Sequence, residues 1–362
     1  MKFAHFSHVW AKAGLSPAQR YEQLWRELEL CDQLGFDYGF CVEHHFRPDE
    51  SLMSAPQLYT IAAGARTKNI RLGGMGHIVP LHHPLRLAEE LAVADQMIGG
   101  RLEIGLVPGI LPAYFAPFKV DYAPRREVTL EFAKFLKVVY AEKASFDFEG
   151  RFHQHKGVKL AVNPIQMPHP PLWIETRDPA TLEFCAKEGI NTGYFLLFPR
   201  DEAAGRYQRY LDLWNEAGWP SKPNIAYSTV VFVADTDEEA IKTAAVHAGR
   251  AYRGLFGSSA NMEELREVQY RFADFFESRG ELGAAKIARN LLDENYLLEN
   301  DLVLIGSPET VMRKLKSFAT AGMFNTFMGE FNFADIGEAA MMKSIYLFGT
   351  KVMPHLRDFE PF

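Results

Sequence analysis

Apolar residues recur along this chain with two alternating periods. Short apolar runs typical of buried strands are followed by segments in which apolar residues recur every three to four positions, as on one face of a helix. The predicted strands span residues 2–7, 38–43, 70–76, 101–107, 172–176, 192–198, 225–234 and 325–331. Helices are predicted after them at 17–34, 56–66, 84–98, 124–140, 178–188, 201–217, 237–256 and 336–348, and a further helix is predicted to start at 307–310. Eight strands alternating with helices favour an α/β fold, one (β/α)8 TIM barrel.

Two segments interrupt the alternation. Residues 144–171 lose the helical period after strand 4, and residues 145–152 resemble a hairpin with Glu149-Gly150 at its turn. Residues 257–300, after strand 7, are charged, partly helical and without a strand pattern, so we expect an insertion that could act as a lid. Because no linker or composition break divides the chain, we predict one domain over residues 1–362.

Composition narrows the class of protein. A hydrophobic content of 48% allows a sizeable core, and a net charge of −7 argues against a nucleic-acid or anionic-membrane partner. The cysteines Cys31, Cys41 and Cys185 show no CxxC spacing, which favours reduced core residues over a disulfide frame. The first residues do not resemble a signal peptide, and no apolar run reaches about 18 residues. We therefore expect a soluble, cytoplasmic protein.

The strongest candidate chemistry lies where the second predicted strand ends. The apolar run 38–42 stops at Glu43-His44-His45-Phe46. In a parallel barrel the carboxyl ends of the strands carry the active site. Histidine titrates near pH ~6.5, so one here could act as a base at neutral pH. The alternative is a pair of surface histidines without a catalytic role.

Several short motifs, taken in order and spacing, resemble the bacterial luciferase-like family of flavin-dependent monooxygenases over essentially the whole chain. They are Leu34-Gly35-Phe36-Asp37, Glu43-His44-His45-Phe46, His83-Pro84, Asp95-Gln96-Met97, Gly100-Arg101-Leu102, Ile305-Gly306-Ser307-Pro308-Glu309 and Val352-Met353-Pro354. The resemblance implies a barrel in which reduced FMN reacts with O2 to give a peroxide at ring carbon C4a. That peroxide would oxygenate an apolar or aromatic small molecule.

The resemblance also assigns roles at the second strand. His44 matches the family's catalytic histidine, which would move one proton beside the flavin. Glu43 could accept hydrogen bonds from flavin or backbone donors, or form a local ion pair. His45 would orient its neighbours or line the substrate pocket. Because no GxGxxG fingerprint follows a strand, reduced FMN is expected from a separate NAD(P)H:flavin reductase.

Other residues would hold the flavin. Met75-Gly76 matches a backbone turn against the flavin ring, where glycine permits close approach. An arginine that commonly follows the family's fourth strand is replaced here by Pro108, which carries no charge. Arg125 matches a second family arginine for the phosphate, with Arg126 as the alternative after a one-residue shift.

The fifth strand-to-helix turn would supply the remaining phosphate contacts. Its candidate residues are Glu175, Thr176, Arg177 and Thr181. We hypothesise that Arg177 replaces the charge lost at Pro108. Asp178 argues against this, because it could cap the helix itself and would repel a dianion.

Aromatic residues and histidines near predicted strand ends could wall a substrate cavity. They are Phe6, Trp10, His45, Phe46, His77, Tyr114, Phe195 and Phe198. Each could instead be an ordinary core residue. The stretch from Pro112 to Pro117 around Tyr114 suggests a stiff loop.

Competing functions remain open. An F420-dependent oxidoreductase shares the barrel and would transfer hydride without oxygen, and a non-catalytic flavin-binding partner subunit would keep the barrel and lose the chemistry. A metal hydrolase is disfavoured, because adjacent histidines on a strand point to opposite faces and no HxH spacing occurs, so we expect no metal. The resemblance further implies a homodimer.

Overall fold

The computed structural model describes residues 1–141, 144–195, 198–256 and 261–362. Strands and helices alternate along them. The strands are β1 (Lys2–Ser7), β2 (Tyr38–Cys41), β3 (Arg71–Gly74), β4 (His77–Ile78), β5 (Ile104–Val107), β6 (Phe146–Glu149), β7 (Gln154–Val158), β8 (Leu172–Glu175), β9 (Asn191–Phe195), β10 (Ile225–Val233), β11 (Leu304–Gly306) and β12 (Thr326–Glu330). The helices are α1 (Pro17–Leu34), α2 (Pro56–Arg66), α3 (Pro84–Met97), α4 (Pro112–Phe115), α5 (Arg125–Ala141), α6 (Pro179–Glu188), α7 (Arg200–Glu216), α8 (Asp237–Phe256), α9 (Met262–Ser278), α10 (Leu282–Asn290), α11 (Glu294–Glu299), α12 (Pro308–Gly322) and α13 (Glu338–Leu347). Short 3₁₀ segments lie at Val79–Leu81, Ala116–Phe118 and Met353–His355.

Each of the eight predicted strands overlaps an observed strand, but several details of the prediction are wrong. The run 70–76 forms two strands, β3 and β4, and the peptide bond between them, Met75-Gly76, is cis. Strand β11 was not predicted, because three residues are too few to show a period. The predicted strand 192–198 ends at Phe195, and residues 196 and 197 lie outside the described part of the chain.

The described chain divides into two compact units, the first comprising Met1–Tyr38, Arg47–Leu52 and Thr176–Phe362 and the second Gly39–Phe46 and Met53–Glu175. In the first unit β1, β12, β10 and β9 pair in parallel, with β11 beside β10. Their registers align Phe3 with Phe327, Phe327 with Tyr227, and Tyr227 with Tyr194. Strand β10 is buried along its whole length, which explains its continuous apolar run.

In the second unit β4, β5 and β8 pair in parallel. The register places His77 opposite Leu106 and Ile104 opposite Leu172. Strands β6 and β7 form an antiparallel hairpin within the predicted first insertion. It runs over residues 146–158 and turns at 150–153, so the predicted bounds 145–152, with Glu149-Gly150 at the turn, are too short. The parallel strands therefore bring their carboxyl ends, and the residues that follow them, to one edge of this unit.

Helix starts follow the predicted chemistry, in which a short polar side chain precedes proline. The Ser16 hydroxyl accepts the Gln19 N–H at 3.3 Å and begins α1. The Asp178 carboxylate accepts the Thr181 N–H at 2.8 Å and begins α6. Asp178 is therefore the N-cap of α6. This confirms the prediction that Asp178 could cap the helix, which argued against a phosphate role for Arg177.

The segment predicted as the second insertion contains α9, α10 and α11, so its partly helical character is confirmed. Residues 257–260 of that segment lie outside the described residues. Helices α9 and α10 pack around a small core of their own, formed by Ala273, Phe276, Ala284, Ala285 and Ala288. We call these two helices and their turn the α9–α10 hairpin. Among the helices of the described residues, none is long and apolar enough to cross a membrane.

Alanine substitutions at Gly73 and Gly205 test how closely β3 approaches the backbone at Glu103. A Cβ at Gly73 in β3 would lie 2.0 Å from the Glu103 carbonyl oxygen, so Gly73→Ala should lower the free energy of unfolding by about 2–3 kcal/mol. Gly205 in α7 has open space around it, and Gly205→Ala should raise that energy by about 0.5–1 kcal/mol through helix propensity. Urea unfolding of both variants measures this, and equal effects at the two sites would contradict the close approach at Gly73.

Candidate active site

The carboxylate of Glu43 lies at the centre of the candidate site, two residues beyond the end of β2. His45 Nε2 lies 2.9 Å from Glu43 Oε1, and His82 Nε2 lies 3.0 Å from Glu43 Oε2. The backbone N–H of Ile78 donates to Oε2 at 3.0 Å. Glu43 is only 3% exposed. A carboxylate with three donors around it is held in one position by segments from separate parts of the second unit.

These contacts set the charge of Glu43. Burial disfavours ionisation, but the hydrogen bonds from His45 and His82 outweigh it and lower the pKa of Glu43 from 4.5 to about 2. Burial also acts to lower the pKa of His82, yet its hydrogen bond and charge interaction with Glu43 raise that pKa above 6.5. Glu43 is therefore an anion at neutral pH, and His82 is its best candidate for a positive counterpart.

His77 is a different kind of histidine. It is 1% exposed, and neither ring nitrogen has a hydrogen-bond partner among the described residues. Burial lowers the pKa of His77 from 6.5 to about 4, despite the opposing effect of Glu43. His77 is therefore neutral at pH 7 with a free donor and a free acceptor, which suits it to meet a polar group of a ligand.

His44 stands beside an aromatic wall. Its ring centroid lies 5.7 Å from that of Tyr114, and Tyr114 is buried with Phe115 in an apolar cluster. The backbone N–H of His44 donates to the Met53 carbonyl at 2.9 Å, which fixes the chain after β2. The structure thus brings together six of the predicted residues, namely Glu43, His44, His45, Phe46, His77 and Tyr114.

Phe46 occupies the outer part of this wall. Its backbone has φ of 60° and its side chain is 61% exposed. Its ring lies 5.6 Å from His45 and 5.6 Å from Phe118. Phe118 was not predicted as a site residue, and no period or motif marked it.

Glycines of β3, β5 and the bond between β3 and β4 lie next to His77 in the chain and the sheet. The Met75 N–H donates to the Cys41 carbonyl at 2.7 Å, so the cis Met75-Gly76 bond lies close in space to the end of β2. A Cβ at Gly105 would lie 2.4 Å from the Gly74 carbonyl oxygen, and one at Gly76 would lie 2.7 Å from the Gly105 carbonyl carbon. Glycine is required where these backbones approach, and Gly105 is a residue that the sequence analysis did not single out.

Arg125 is the first residue of α5 and contacts the loop that follows Pro108. Its Nε donates to the Gly109 carbonyl at 3.2 Å, its Nη1 donates to the Tyr122 carbonyl at 3.2 Å, and the guanidinium covers the Tyr122 ring at 3.7 Å. These contacts fix the arginine at the start of α5. Its assignment to a flavin phosphate stays a prediction.

The other predicted residues have local contacts of their own. Glu175 ends β8 and is half-buried. In the first unit, the Thr176 hydroxyl accepts the Asp178 N–H at 3.1 Å, and the Thr181 hydroxyl donates to Asp178 at 2.9 Å. Arg177 pairs with Glu281, its Nε lying 3.1 Å from Oε2. The threonine hydroxyls and Arg177 are therefore engaged within the protein, and their assignment to a phosphate stays a prediction.

The aromatic residues predicted for the pocket divide by burial. Phe6 and Trp10 are buried, and the Trp10 indole N–H donates to Glu330 at 2.7 Å. Phe195, at the end of β9, is 39% exposed. Phe195 is thus the one of these three with an open face, and a role in substrate binding stays a prediction for all of them.

Glu43, His77 and His82 also form a possible set of metal ligands, since one ligand atom from each lies within 4.8 Å of the others. Zinc would need ligands about 2.0–2.2 Å from the ion, so the three groups would have to contract around it. Sequence reasoning considered the adjacent pairs of histidines and missed this set. His82 could have been noticed as a second histidine five positions beyond His77.

The neutral, buried His77 predicts a pH dependence of stability. Its pKa is lower in the folded than in the unfolded chain, so its stabilising contribution is complete above about pH 6.5 and is lost as pH falls towards about 4. Between about pH 6 and 5 the loss approaches about 1.4 kcal/mol per unit at most. Urea unfolding at several pH values should show a steeper slope for the wild type than for His77→Asn. The exposed His355→Asn is the control, and equal slopes for the wild type and His77→Asn would contradict the prediction.

The sequence of this chain is similar to those of known monooxygenases. Residues 1–324 match the family model described as luciferase-like monooxygenase. The oxygenase component of the flavin-dependent trigonelline monooxygenase from Acinetobacter baylyi is 28% identical over 253 residues, 66% of this chain and 67% of that protein. This chain spans 55% and 67% of the lengths of the first two curated relatives that it matches.

Solved structures show the fold. The monooxygenase RslO1 from Streptomyces bottropensis superimposes with a TM-score of 0.82 at 24% identity, covering 98% of this chain and 99% of that one. The oxygenating constituent of 3,6-diketocamphane monooxygenase from Pseudomonas putida, a type II Baeyer–Villiger monooxygenase in complex with FMN, gives 0.76 at 21% identity, covering 98% of both chains. The predicted TIM-barrel-like α/β fold is therefore confirmed. With the match of the family model to most of its length, the chain belongs to the luciferase-like monooxygenase family.

Proposed function

We propose that this protein is the oxygenase component of a two-component flavin-dependent monooxygenase. It takes reduced FMN from a separate NAD(P)H:flavin reductase and uses O2 to oxygenate an apolar or aromatic small molecule. The observation that carries the proposal is that His44 directly follows the ionised Glu43 and that its ring lies 5.7 Å from that of Tyr114, in a chain of this family. The FMN complex of a protein with the same fold supports the choice of cofactor.

The residues present fit a flavin. His77, next to the cis Met75-Gly76 bond, has two ring nitrogens without a partner among the described residues, and it could offer them to a polar edge of the ring. Glu43, Met75 and Gly76 would hold the ring, and Arg125 would hold the phosphate. Reduced FMN would supply the electrons that activate O2.

The chain's own part is to move one proton and to exclude water. The imidazole of His44, whose Nδ1 is buried, would transfer that proton. The ionised Glu43 fixes His45 and His82, and the Tyr114 and Phe115 cluster supplies an apolar wall that limits access of water. An apolar or aromatic substrate matches the exposed rings of Phe46 and Phe118.

The test is an anaerobic titration with FMN, reduced FMN and F420, followed by rapid mixing of the tightest reduced complex with O2. The proposal predicts that reduced FMN binds and that oxidised flavin appears only after a lag following the loss of reduced flavin. Tight binding of F420 without an oxygen reaction would replace the proposal by hydride transfer. Binding of neither cofactor would favour the non-catalytic partner subunit.

His44→Ala should lower the rate of substrate oxygenation by about 10²–10⁴-fold, the usual contribution of a positioned acid or base. Binding of FMN should stay within about threefold of the wild type, because Glu43, Met75, Gly76 and Arg125 would still hold the cofactor. Single-turnover oxygenation and fluorescence titration measure the two quantities. His355→Ala, at an exposed histidine, should change neither. An unchanged oxygenation rate in His44→Ala would remove His44 from the mechanism.

We also propose a homodimer formed through α2 and α3, and a cytoplasmic location, where NAD(P)H supplies the reductase. A cleft of about 640 Å³ beside these helices is lined by the apolar residues Leu58, Ile61 and Val93 and by charged residues that include Arg86, Glu89 and Glu90. Leu58 is 69% exposed and Met97, on α3, is 63% exposed. Burying such exposed apolar side chains against a second copy of the chain would stabilise a dimer.

The proposed cytoplasmic location agrees with the cysteines. The three cysteines are free and buried, which suits a reducing compartment.

Leu58→Glu should therefore shift the protein from dimer to monomer, because a charge in a buried interface is costly. Light scattering coupled to size-exclusion chromatography measures the mass at several concentrations. Leu15→Glu, at another exposed leucine, is the matched control and should leave the mass unchanged. A wild-type protein that is monomeric throughout would contradict the proposal.

A further inference from the structure

Three side chains of the second unit bring potential metal ligands together. They are Glu43, after β2, His77, in β4, and His82, after the 3₁₀ segment Val79–Leu81. One oxygen or nitrogen atom of each lies within 4.8 Å of those of the other two. We call Glu43, His77 and His82 the Glu-His-His group.

The spacing of the group is close to that of ligands around a zinc ion. Two ligand atoms at about 2.0–2.2 Å from a tetrahedral ion lie about 3.3–3.6 Å from each other. Glu43 Oε2 and His82 Nε2 are 3.0 Å apart, so this pair would need to open only slightly. His77 would need to move inward by about 1.5 Å at most. Most of the rearrangement around an ion therefore falls on one side chain.

His77 has no protein partner for either ring nitrogen among the described residues. Both nitrogens are buried, and the residue is 1% exposed. Buried polar groups in native proteins are nearly always satisfied by protein, water or an ion. A neutral imidazole nitrogen is also a preferred ligand of zinc. An ion shared with Glu43 and His82 would give one of the two nitrogens a partner.

Residues outside the group hold its carboxylate in position. His45 Nε2 lies 2.9 Å from Glu43 Oε1, and the Ile78 N–H donates to Oε2 at 3.0 Å. Contacts of this kind orient a ligand carboxylate and strengthen metal binding. Each carboxylate oxygen can accept more than one contact, so both can persist when an ion binds. The ion would replace only the contact between Glu43 and His82.

His82 is the most exposed member of the group. Its side chain is 21% exposed, compared with 1% for that of Glu43, and it lines the cleft beside α2 and α3. Glu89 and Glu90 line the same cleft, and Arg86, which pairs with Glu90 at 2.6 Å, offsets part of their charge. An ion can therefore reach the group from solvent by way of His82.

The ligand types select the class of ion. Two imidazoles and one carboxylate suit Zn²⁺ and the neighbouring divalent transition metals, whereas Mg²⁺ and Ca²⁺ prefer oxygen ligands. Three protein ligands leave the fourth position of a tetrahedral ion open to water. An ion bound in this way would occupy the carboxylate of Glu43 and one nitrogen of His77.

We propose that the Glu-His-His group binds one divalent ion of the zinc class, and that this ion excludes the flavin from Glu43 and His77. The inference replaces the expectation of no metal, which considered only adjacent histidines. The metal site follows from the three ligands alone. Its effect on the flavin rests on the proposed function, in which the same residues meet the ring. Zinc is then an inhibitor of flavin binding.

Metal binding is measured on the full chain after treatment with a chelator. The wild type should bind one Zn²⁺ per chain in calorimetry, and Co²⁺ in its place should show the visible absorption of a four-coordinate ion. His82→Gln and His77→Leu should each weaken Zn²⁺ binding at least about tenfold, because each removes a ligand. Mg²⁺ should not displace Zn²⁺.

His83→Ala, at the exposed histidine next to His82, is the matched control and should bind Zn²⁺ like the wild type. Circular dichroism establishes that each variant is folded, and His82→Gln, at the partly exposed ligand, keeps the test decisive if His77→Leu does not fold. A wild type that binds no Zn²⁺, or a folded His82→Gln that binds it as tightly as the wild type, would overturn the proposal.

Riboflavin tests the exclusion, because it has no phosphate that could bind zinc directly. Zn²⁺ at about ten times its Kd should weaken riboflavin binding about tenfold in the wild type, and less in His82→Gln. Zinc and riboflavin bound at the same time would overturn the exclusion. Zinc binding with the expected ligand dependence, but without binding of any flavin, would leave the metal site standing and overturn the proposed function. Flavin binding without zinc binding would do the reverse.

Discussion

Three segments of the second unit send a donor to one buried carboxylate, that of Glu43. His45 reaches it from the same loop, Ile78 from β4, and His82 from the end of a 3₁₀ segment. Removing one partner of a buried charge costs about 3–5 kcal/mol, so these segments are tied to a single position. His44 is the next residue in the chain, so its backbone is held in place together with Glu43.

The two histidines near this carboxylate, His77 and His82, have pKa values shifted in opposite directions. His82, in contact with Glu43, has a raised pKa, while His77, buried and unpartnered, has a lowered one, although their ring centroids lie only 6.2 Å apart. One residue type thus supplies a group that tends to be charged and a group that stays neutral at pH 7. A reaction that must move one proton and bind a polar cofactor edge needs both kinds of group.

How far the sequence predicted these features depends on the range of the interaction. The strands, the helix starts and the Glu43-His44-His45-Phe46 motif were predictable, because period, capping and strand ends are local. The partnership of Glu43 with His82 was not, because 39 residues separate them and no motif joins them. The break between β3 and β4 lies in the backbone at Met75-Gly76, which hydrophobic patterning does not register.

Arg177 shows the same limit. The turn suggested an arginine available for a phosphate, and the structure adds Glu281 from a distant helical hairpin as its partner. Charge alone predicted an anion near Arg177, but not that the chain would supply one itself.

The most direct test of the account is the titration of the histidine side chains by nitrogen NMR in the wild type and in Glu43→Gln. We predict that His82 titrates above pH 6.5 in the wild type and falls back in the variant, and that His77 stays neutral between about pH 5 and 8. A His82 pKa that does not respond to the substitution, or a His77 that is charged at pH 6, would contradict the central role of the Glu43 carboxylate.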